Sequence, residues 1–269
     1  MEIRVLDIGG SGVKTTKLKF SDDLILQVNI NVEHFPDPDW ANFTQWLHKN
    51  NLIDSQYIGI SSAGFIKSDS IVSLFRIGGW INKPIIDDIK ELSPNAKVYI
   101  LNDAESHLMA HAKMYDNPQM SISLGSSLGF AISNNEGKII RPTDNMNFDL
   151  GAVKIPTSAK NKQVWWALGS KGLKELQNNL GETEGVIQYG YRLGSFLTDI
   201  CSVFRPKTVV FSGGITQRWW ETFSNYTINE FNHQKPDWLD PPKFIKSPYG
   251  KNAALIGIGK HVYYQQQRE

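Results

Sequence analysis

The chain has 269 residues, of which 41% are hydrophobic, and its formal net charge at pH 7 is +1. This length allows one large or two ordinary domains with ample core, and the near-neutral charge gives no electrostatic bias toward nucleic acid. A single cysteine, Cys201, excludes an intramolecular disulfide and a cysteine-rich zinc site. No apolar run reaches the roughly 20 residues that a membrane span needs, so we expect a cytoplasmic protein with neither membrane nor nucleic-acid partners.

The first predicted element is a buried strand that contains Asp7 and leads into a glycine-rich turn. The turn consists of Gly9, Gly10, Ser11 and Gly12, and the extended pattern has resumed by Lys14. No helix follows and GxxxxGK[ST] is absent, which excludes a Walker-type loop. A tight hairpin of this kind brings backbone N–H groups close to an anion, and Asp7 is suited to holding magnesium through water. An ordinary glycine-rich hairpin fits the same pattern.

The N-terminal half continues as alternating strands and helices, which predicts an α/β sheet. Residues 57–61 have the pattern of a short buried strand that leads into a loop containing Gly64. Residues 96–101 have the same pattern and lead directly to Asn102 and Asp103. Ligands bind at the carboxyl ends of strands in an open α/β sheet, so this edge is the candidate site.

Asp103 allows two interpretations at this stage. It stands where a strand gives way to a helix, so it can cap that helix and do nothing more. Alternatively, it lies near Asp7 at the same sheet edge, and two such carboxylates suit metal binding and proton abstraction from a hydroxyl.

The pattern begins again near Asp116, where we place a domain boundary. Residues 121–132 predict a strand, a turn rich in glycine and serine, and a second strand, which repeats the arrangement of the first hairpin. Residues 207–211 predict another buried strand, and Gly213 and Gly214 follow it. Their lack of side chains leaves room for a flat base such as adenine, although an ordinary strand-to-helix turn is equally compatible.

The remaining elements of the second half are predicted as follows. Residues 156–180 have a polar, helical pattern, and residues 183–204 predict a long helix that buries Cys201 as a structural thiol. A proline-rich loop over residues 236–248 leads to a terminal helix over residues 252–266.

Five motifs in this order, DIGGSGVK, SSAGF, LNDAE, LGSSLGF and VVFSGGI, resemble the actin-like sugar kinase superfamily. Within it, the chain is most similar to the ROK family and to its polyphosphate/ATP glucokinase branch. The resemblance implies an α/β fold of two actin-like (ribonuclease H-like) domains with a ligand cleft between them. Residues 1–115 would form the acceptor-side domain and residues 116–269 the nucleotide-side domain, with the terminal helix packing back on the first.

The resemblance also implies a function and a set of site residues. The function is ATP-dependent phosphorylation of a sugar or sugar-like alcohol with Mg²⁺, with Asp103 as general base and Asp7 at the metal. The residues implied at the donor are Gly9, Gly10, Ser11, Gly12, Lys14, Gly125, Ser126, Ser127, Gly129, Gly213 and Gly214. Those implied at the acceptor are Gly64, Arg76, Asn102, Asp103 and Asp149.

Some family motifs are changed or missing in this chain. Most ROK members carry a CxCGxxGC zinc loop, which one cysteine cannot supply, so we expect no zinc. Glucose-binding members carry ExGH after the second phosphate loop, whereas residues 149–152 here are Asp-Leu-Gly-Ala. They also carry an Asn before a Gly-Trp or Ser-Trp pair, and residues 75–80, FRIGGW, have none. We therefore expect a sugar-like acceptor other than glucose, engaged by Arg76.

Two alternative functions stay open from the sequence. One is a ROK-like ligand-sensing protein without efficient catalysis, and the other is a polyphosphate-dependent glucokinase. A homodimer is compatible with all of these functions.

Overall fold

The computed structural model describes residues 1–9, 12–21, 24–25, 33–35, 39–49, 55–67, 70–74, 81–142, 144–157 and 161–268. Within these ranges, no helix combines the length and the apolar character that crossing a membrane would require.

The first part of the chain alternates strands and helices, as its sequence pattern predicts. Its elements are β1 (Glu2–Gly9), β2 (Gly12–Ser21), β3 (Leu24–Ile25), β4 (Glu33–Phe35), α1 (Trp40–Lys49), β5 (Tyr57–Ser62), β6 (Phe65–Lys67), β7 (Ser70–Ser73), β8 (Ile81–Lys83), α2 (Ile85–Leu92), β9 (Lys97–Asn102) and α3 (Asp103–Ala110).

The second part begins with another hairpin and is richer in helix. Its elements are β10 (Gln119–Leu124), β11 (Leu128–Ile132), a 3₁₀ turn (Leu150–Ala152), β12 (Lys154–Ile155), β13 (Lys162–Gln163), α4 (Val164–Ala167), α5 (Ser170–Leu180), α6 (Glu182–Phe204), β14 (Thr208–Ser212), α7 (Gly213–Gln234), β15 (Lys243–Lys246), a second 3₁₀ turn (Gly250–Asn252) and α8 (Ala253–Gln266).

Two predictions of secondary structure were wrong in part. The proline-rich segment 236–248 contains strand β15, which pairs in parallel with β14. The segment 156–180 was predicted as helical, but it holds the short strand β13 before its helices begin at Val164. Both strands are short, so local composition carries little signal for either, and the partner of β15 lies far from it in the sequence.

The contacts divide the chain into two compact units, each with its own sheet. Unit 1 consists of Met1–Ala110, Arg141–Asn147 and Asn252–Glu269, and unit 2 consists of His111–Ile140 and Phe148–Lys251. The sequence therefore crosses from one unit to the other more than once, and helix α8 belongs to unit 1. We predicted a single boundary at residue 116, which includes no return of the chain to the first unit. The domain limits 1–115 and 116–269 stay a prediction.

Unit 1 is built on a sheet with the strand order β3-β2-β1-β5-β9, with β4 beside β2. β1 pairs with β2 as an antiparallel hairpin, and β1, β5 and β9 run parallel. Buried Ile58 and Ile60 of β5 share a core with Phe43 of α1 and Ile89 of α2. Because β1, β5 and β9 run parallel, their carboxyl ends all lie at the same end of this sheet.

Unit 2 is built on the sheet β11-β10-β14-β15. β10 and β11 form an antiparallel hairpin, and β14 and β15 run parallel to β10. Its core packs Met120 and Ile122 of β10 with Tyr189 of α6 and Phe223 of α7.

The same strand order occurs in both units. Each has a hairpin whose first strand pairs in parallel with a later strand, and that strand pairs in parallel with a third. The prediction of an α/β fold with two similar domains is confirmed by this repeat.

Candidate active site

Asp7 lies near the carboxyl end of β1 and has two polar neighbours. Its Oδ1 accepts a hydrogen bond from the Ser61 hydroxyl of β5 at 3.2 Å, and its Oδ2 lies 3.4 Å from the Lys14 ammonium. The pairing explains both contacts, since Asp7 stands directly opposite Ser61 on β5 and Lys14 on β2. The sheet therefore orients this carboxylate, whose side chain is 13% exposed.

Asp103 is the first residue of α3 and follows directly on β9, two strands away from β1 in the sheet. Burial, and after it the negative charge of Asp7, raise the pKa of the Asp103 carboxyl to about 7. The sequence analysis expected the two carboxylates to lie close together at the carboxyl ends of their strands, and this proximity stays a prediction. A carboxyl with this pKa exchanges a proton readily near neutral pH.

Asn102, and not Asp103 alone, caps helix α3. The Asn102 Oδ1 accepts the N–H of Ala104 at 2.9 Å, and the Asp103 Oδ1 accepts the same N–H at 2.9 Å. Asn102 is only 5% exposed, and its amide donates to the Gly64 carbonyl at 2.8 Å. The side chain predicted to contact the acceptor is thus held by the protein on both sides, and it fixes the Gly64 loop beside Asp103.

Glu105 also forms hydrogen bonds at the N-terminus of helix α3. Its Oε2 accepts the backbone N–H of Asn102 at 3.2 Å, as in a capping box, although the Asn102 side chain accepts the N–H of Ala104 and not that of Glu105. Both carboxylate oxygens also receive hydrogen bonds from Arg141, at 2.7 and 2.6 Å.

His107 lies one helical turn after Asp103, and residues four apart share a helix face. Burial, and after it the positive charge of Lys14, lower the pKa of the His107 imidazole to about 4. His107 is therefore neutral at pH 7 and adds no charge to the pair of aspartates.

The hairpin of unit 2 carries Gly125, Ser126 and Ser127 in its turn and Gly129 on β11. Leu124 pairs with Leu128, which closes the turn. The Gly125 carbonyl accepts the N–H of Ser170 at 2.9 Å, at the start of α5.

Gly213 and Gly214 open α7 next to that hairpin. Gly213 has a φ of +90°, and a Cβ there would lie 2.4 Å from the Leu124 carbonyl oxygen. The structure therefore brings the 213–214 turn against the strand that leads into Gly125, which joins two of the predicted donor segments within unit 2.

Three glycines of the predicted donor set have open surroundings. A Cβ on Gly125 or Gly214 would meet no atom within 4 Å, and one on Gly9 would meet only the Gly12 carbonyl, at 3.9 Å. By contrast, a Cβ on Gly12 would lie 2.3 Å from the Phe35 carbonyl oxygen. The fold itself requires glycine at positions 12 and 213, whereas neither packing nor a positive φ explains it at 9, 125 and 214.

Of the other predicted site residues, Asp149 lies in unit 2 and three are not among the described residues. Asp149 is exposed and precedes the 3₁₀ turn of unit 2. Gly10, Ser11 and Arg76 lie outside the described residues. Cys201 is buried in α6, and burial raises the pKa of its thiol to about 12, so this thiol stays protonated.

The sequence interpretation did not identify Ser61, Glu105, His107 or Arg141. Two local signals were available: the Asn-x-x-Glu spacing of a capping box, and the four-residue spacing from Asp103 to His107 on one helix face. No local signal points to Arg141, which lies 36 residues after its partner.

No protein-family model matches the chain, and no curated protein matches it. Solved structures do match the chain. A ROK-family glucokinase from Streptomyces griseus, solved with glucose and AMPPNP, is 14% identical with a TM-score of 0.78, and the match covers 98% of this chain and 100% of that one. A polyphosphate/ATP glucomannokinase from Arthrobacter sp. strain KM is 18% identical with a TM-score of 0.71, covering 98% and 99%.

A third neighbour is described as a transcriptional regulator. It is a ROK-family transcriptional regulator, a homologue of the E. coli MLC protein, 14% identical with a TM-score of 0.80. The match covers 98% of this chain and 78% of the regulator. At these identities the likeness establishes the fold, and the chain has the fold shared by the ROK-family sugar kinases and this regulator.

Proposed function

We propose that this protein is an ATP-dependent kinase that phosphorylates a hydroxyl group of a sugar or sugar-like alcohol. The observation that carries the proposal is the pair of carboxylates at one sheet edge, Asp7 and Asp103, with the pKa of Asp103 raised to about 7. A plain helix cap does not need a carboxyl with a perturbed pKa, whereas a general base works best when its pKa is near the working pH.

Asp103 is the base in this mechanism. Its carboxylate accepts the proton of the acceptor hydroxyl as the oxygen–phosphorus bond forms, and the nucleoside diphosphate leaves with the electrons of the bond that breaks. Phosphoryl transfer depends mostly on positioning and on neutralising charge, so the rigid start of α3 matters as much as the base itself.

Asp7 suits a magnesium ion. Mg²⁺ is usually bound by one or two carboxylates together with substrate phosphates and water, and not by a full protein cage. Among the residues that the structure describes, no group of three His, Cys, Asp or Glu side chains forms such a cage, while Asp7 offers an oriented carboxylate. The ion would neutralise charge on the transferred phosphate, and Lys14, 3.4 Å from Asp7, would add a positive charge at the same place.

The glycines with open surroundings support the donor assignment. Gly9 and Gly125 follow the pattern of hairpins whose backbone N–H groups approach phosphate, and Gly214 leaves open space at the start of α7. We propose that Gly10, Ser11, Gly12, Ser126, Ser127 and Gly129 complete the phosphate-binding hairpins and that Gly213 shapes the turn beside the base.

We propose that the acceptor is held near Asp103 by the Gly64 loop, with Arg76 and Asp149 contributing to its selection. Asn102 supports that loop through its hydrogen bond to the Gly64 carbonyl. In this proposal the protein works with ATP and Mg²⁺ in the cytoplasm, without zinc and without a nucleic-acid partner.

Two other functions have specific support. The transcriptional regulator among the neighbours favours a ligand-sensing protein without catalysis, and the Arthrobacter kinase favours polyphosphate as a donor. A sensor would bind a sugar without transferring phosphate, and a polyphosphate kinase would transfer it from polyphosphate faster than from ATP.

The test is a phosphate-transfer assay over a panel of sugars, amino sugars and polyols, with ATP or polyphosphate as donor and Mg²⁺ present. Asp103→Asn should lower turnover by roughly the 10²–10⁴-fold that is typical of general acid–base groups, while ATP binding is kept. The matched control is Asp88→Asn, because burial also raises the pKa of Asp88 but this residue lies on α2. An Asp103→Asn variant with near-normal turnover would contradict the proposal.

A further inference from the structure

We propose that Glu105 and Arg141 form a positioning pair that holds the Asn102–Asp103 turn and thereby fixes the direction of the Asp103 carboxylate. The inference rests on the proposed function, in which Asp103 is the base. Neither residue touches the reacting atoms in this account.

The Glu105 carboxylate is buried, Arg141 is partly buried, and the geometry of the pair is specific. The Glu105 side chain is 2% exposed and that of Arg141 is 21% exposed. The Arg141 Nε donates to Oε1 at 2.7 Å and Nη2 donates to Oε2 at 2.6 Å. Two parallel hydrogen bonds between a guanidinium and a carboxylate fix orientation as well as distance.

The pair is connected to Asp103 by hydrogen bonds on both sides of it in the sequence. Before Asp103, the Glu105 Oε2 accepts the N–H of Asn102 at 3.2 Å. After Asp103, the Asn102 Oδ1 accepts the N–H of Ala104 at 2.9 Å. Glu105 therefore holds the peptide group before Asn102, the Asn102 side chain holds the peptide group after Asp103, and Glu105 is the member that Arg141 holds in place.

An ordinary capping box does not need an arginine. On a solvent-exposed helix, water solvates the glutamate and the box forms without a counter-ion. At 2% exposure an unpaired carboxylate would be costly, because removing one partner of a buried ion pair leaves an uncompensated charge. Yet apolar residues can replace whole buried pairs without loss of stability, so stability alone does not account for this pair.

Arg141 also lies at a particular place in the chain. Ile140 belongs to unit 2, and Arg141–Asn147 is a short segment of unit 1. Both ends of the segment are attached within unit 1: Arg141 binds Glu105, and the Asn147 Oδ1 accepts the N–H of Ile66 at 2.9 Å. The contact between Arg141 and Glu105 is the one that lies at the start of α3.

The experiment compares Arg141→Met, Arg141→Lys and the double variant Glu105→Gln with Arg141→Met. We expect Arg141→Met to lower kcat by about 10-fold or more, since small misplacements of a catalytic group cost up to about 10²-fold. The KM for ATP should stay within about two-fold. The double variant removes the unpaired charge but keeps a capping-box acceptor, so it should recover the stability and only part of kcat.

The matched control is Lys243→Met. It removes one cation from the exposed pair of Lys243 and Asp116 at 2.9 Å, so it should change neither kcat nor stability appreciably.

A second readout does not depend on turnover. With ¹³C-labelled aspartate, the Asp103 carboxyl gives one NMR resonance, assigned by its loss in Asp103→Asn. We expect this resonance to broaden or to double in Arg141→Met and to stay single in Lys243→Met.

The two readouts separate the possible failures. If no acceptor in the panel is phosphorylated, the proposed function fails, and the NMR signal still tests the positioning pair. If Arg141→Met does not fold, Arg141→Lys and the double variant take its place. Folded variants with unchanged kcat and an unchanged Asp103 resonance would overturn the inference.

Discussion

At Asp103, ionisation of the carboxyl works against folding. Its pKa is about 7 in the folded protein against an ordinary value of 3.8, so between these values the folded state binds more protons than the unfolded state. The contribution to stability is therefore fully present below about pH 4 and is lost as the pH rises through about 7. Above pH 7 the folded protein must hold a charged Asp103 beside Asp7.

Asp103→Asn should consequently stabilise the protein at pH 8 and have little effect at pH 4.5. One pKa unit corresponds to about 1.4 kcal/mol, so the gain at pH 8 is on the order of a few kcal/mol. Urea unfolding at several pH values, with EDTA and without nucleotide, measures it. Activity and stability should then change in opposite directions, as expected for a strained functional residue.

Asp116→Asn is the control for this pH series. The hydrogen bond and charge of Lys243 lower the pKa of Asp116, so its contribution is present above the unfolded pKa and is lost as the pH falls. This variant should show no stabilisation at pH 8. If Asp103→Asn is destabilised at pH 8, the carboxylate serves the helix as a cap and its ionisation costs nothing.

At the scale of single elements, the two adjacent glycines that open α7 have different surroundings, and we expect them to have different roles. Gly213 has a φ of +90° and no room for a Cβ, whereas a Cβ on Gly214 would meet open space. Gly213→Ala should therefore lower the free energy of unfolding, by about 1–3 kcal/mol. Gly214→Ala should leave stability unchanged or raise it slightly, since alanine favours helix over glycine.

If a nucleotide base lies against Gly214, the added methyl group of Gly214→Ala should raise the KM for ATP by about 10-fold or more. The KM for the acceptor should not change. Isothermal titration with ADP provides the same comparison without turnover. Unaltered ADP affinity in a stable Gly214→Ala variant would remove the base from this position.

The contact between α3 and α8 leads to another prediction at this scale. A Cβ on Gly257 of α8 would lie 1.6 Å from the Ser106 carbonyl oxygen of α3, and Lys260 of α8 donates to the Ala110 carbonyl at 2.6 Å. Gly257→Ala must push α3 away, and α3 begins at Asp103. We expect a loss of about 1–3 kcal/mol, as for overpacked cores, together with lower turnover.

Gly259→Ala, on the same helix, is the control for that change. A Cβ on Gly259 would meet the side-chain ends of Leu18 and Phe20, at 2.7 and 3.1 Å, which can shift more easily than backbone. Thermal unfolding and turnover should be affected less than in Gly257→Ala. Equal effects would mean that displacement of the α3 backbone is not the cause.

At the scale of the whole molecule, the sequence predicted those features that are encoded locally. The two hairpins were predicted because alternating apolar residues flank clustered glycines, and the placement of Asp7 and Asp103 on strands of one sheet was predicted from the alternation of strands and helices. Strand β15 was missed because its partner β14 lies some 30 residues earlier. Arg141 was missed for the same reason, since folding alone brings it to Glu105.

The choice of acceptor also belongs to this scale, because it depends on residues from distant parts of the chain. Where the glucose-binding members of the family that the sequence resembles carry ExGH, this chain has Asp149 and Ala152, and both are exposed. Asp149 is shorter than glutamate by one methylene, and Ala152 has no hydrogen-bonding side chain. Two lost hydrogen bonds at about 0.5–1.5 kcal/mol each would lower kcat/KM for glucose by roughly 5- to 150-fold.

We therefore expect poor activity on glucose and better activity on an acidic or N-acylated sugar that Arg76 could engage. The double variant Asp149→Glu with Ala152→His restores the two missing groups, so it should raise kcat/KM for glucose while leaving the KM for ATP unchanged. Asp144→Glu, a change at another exposed aspartate five positions earlier in the sequence, is the control and should have no effect. Steady-state kinetics over the sugar panel decides the matter. The acceptor prediction is wrong if the unmodified protein prefers glucose to the rest of the panel, with a kcat/KM in the ordinary enzyme range of about 10⁴–10⁸ M⁻¹s⁻¹.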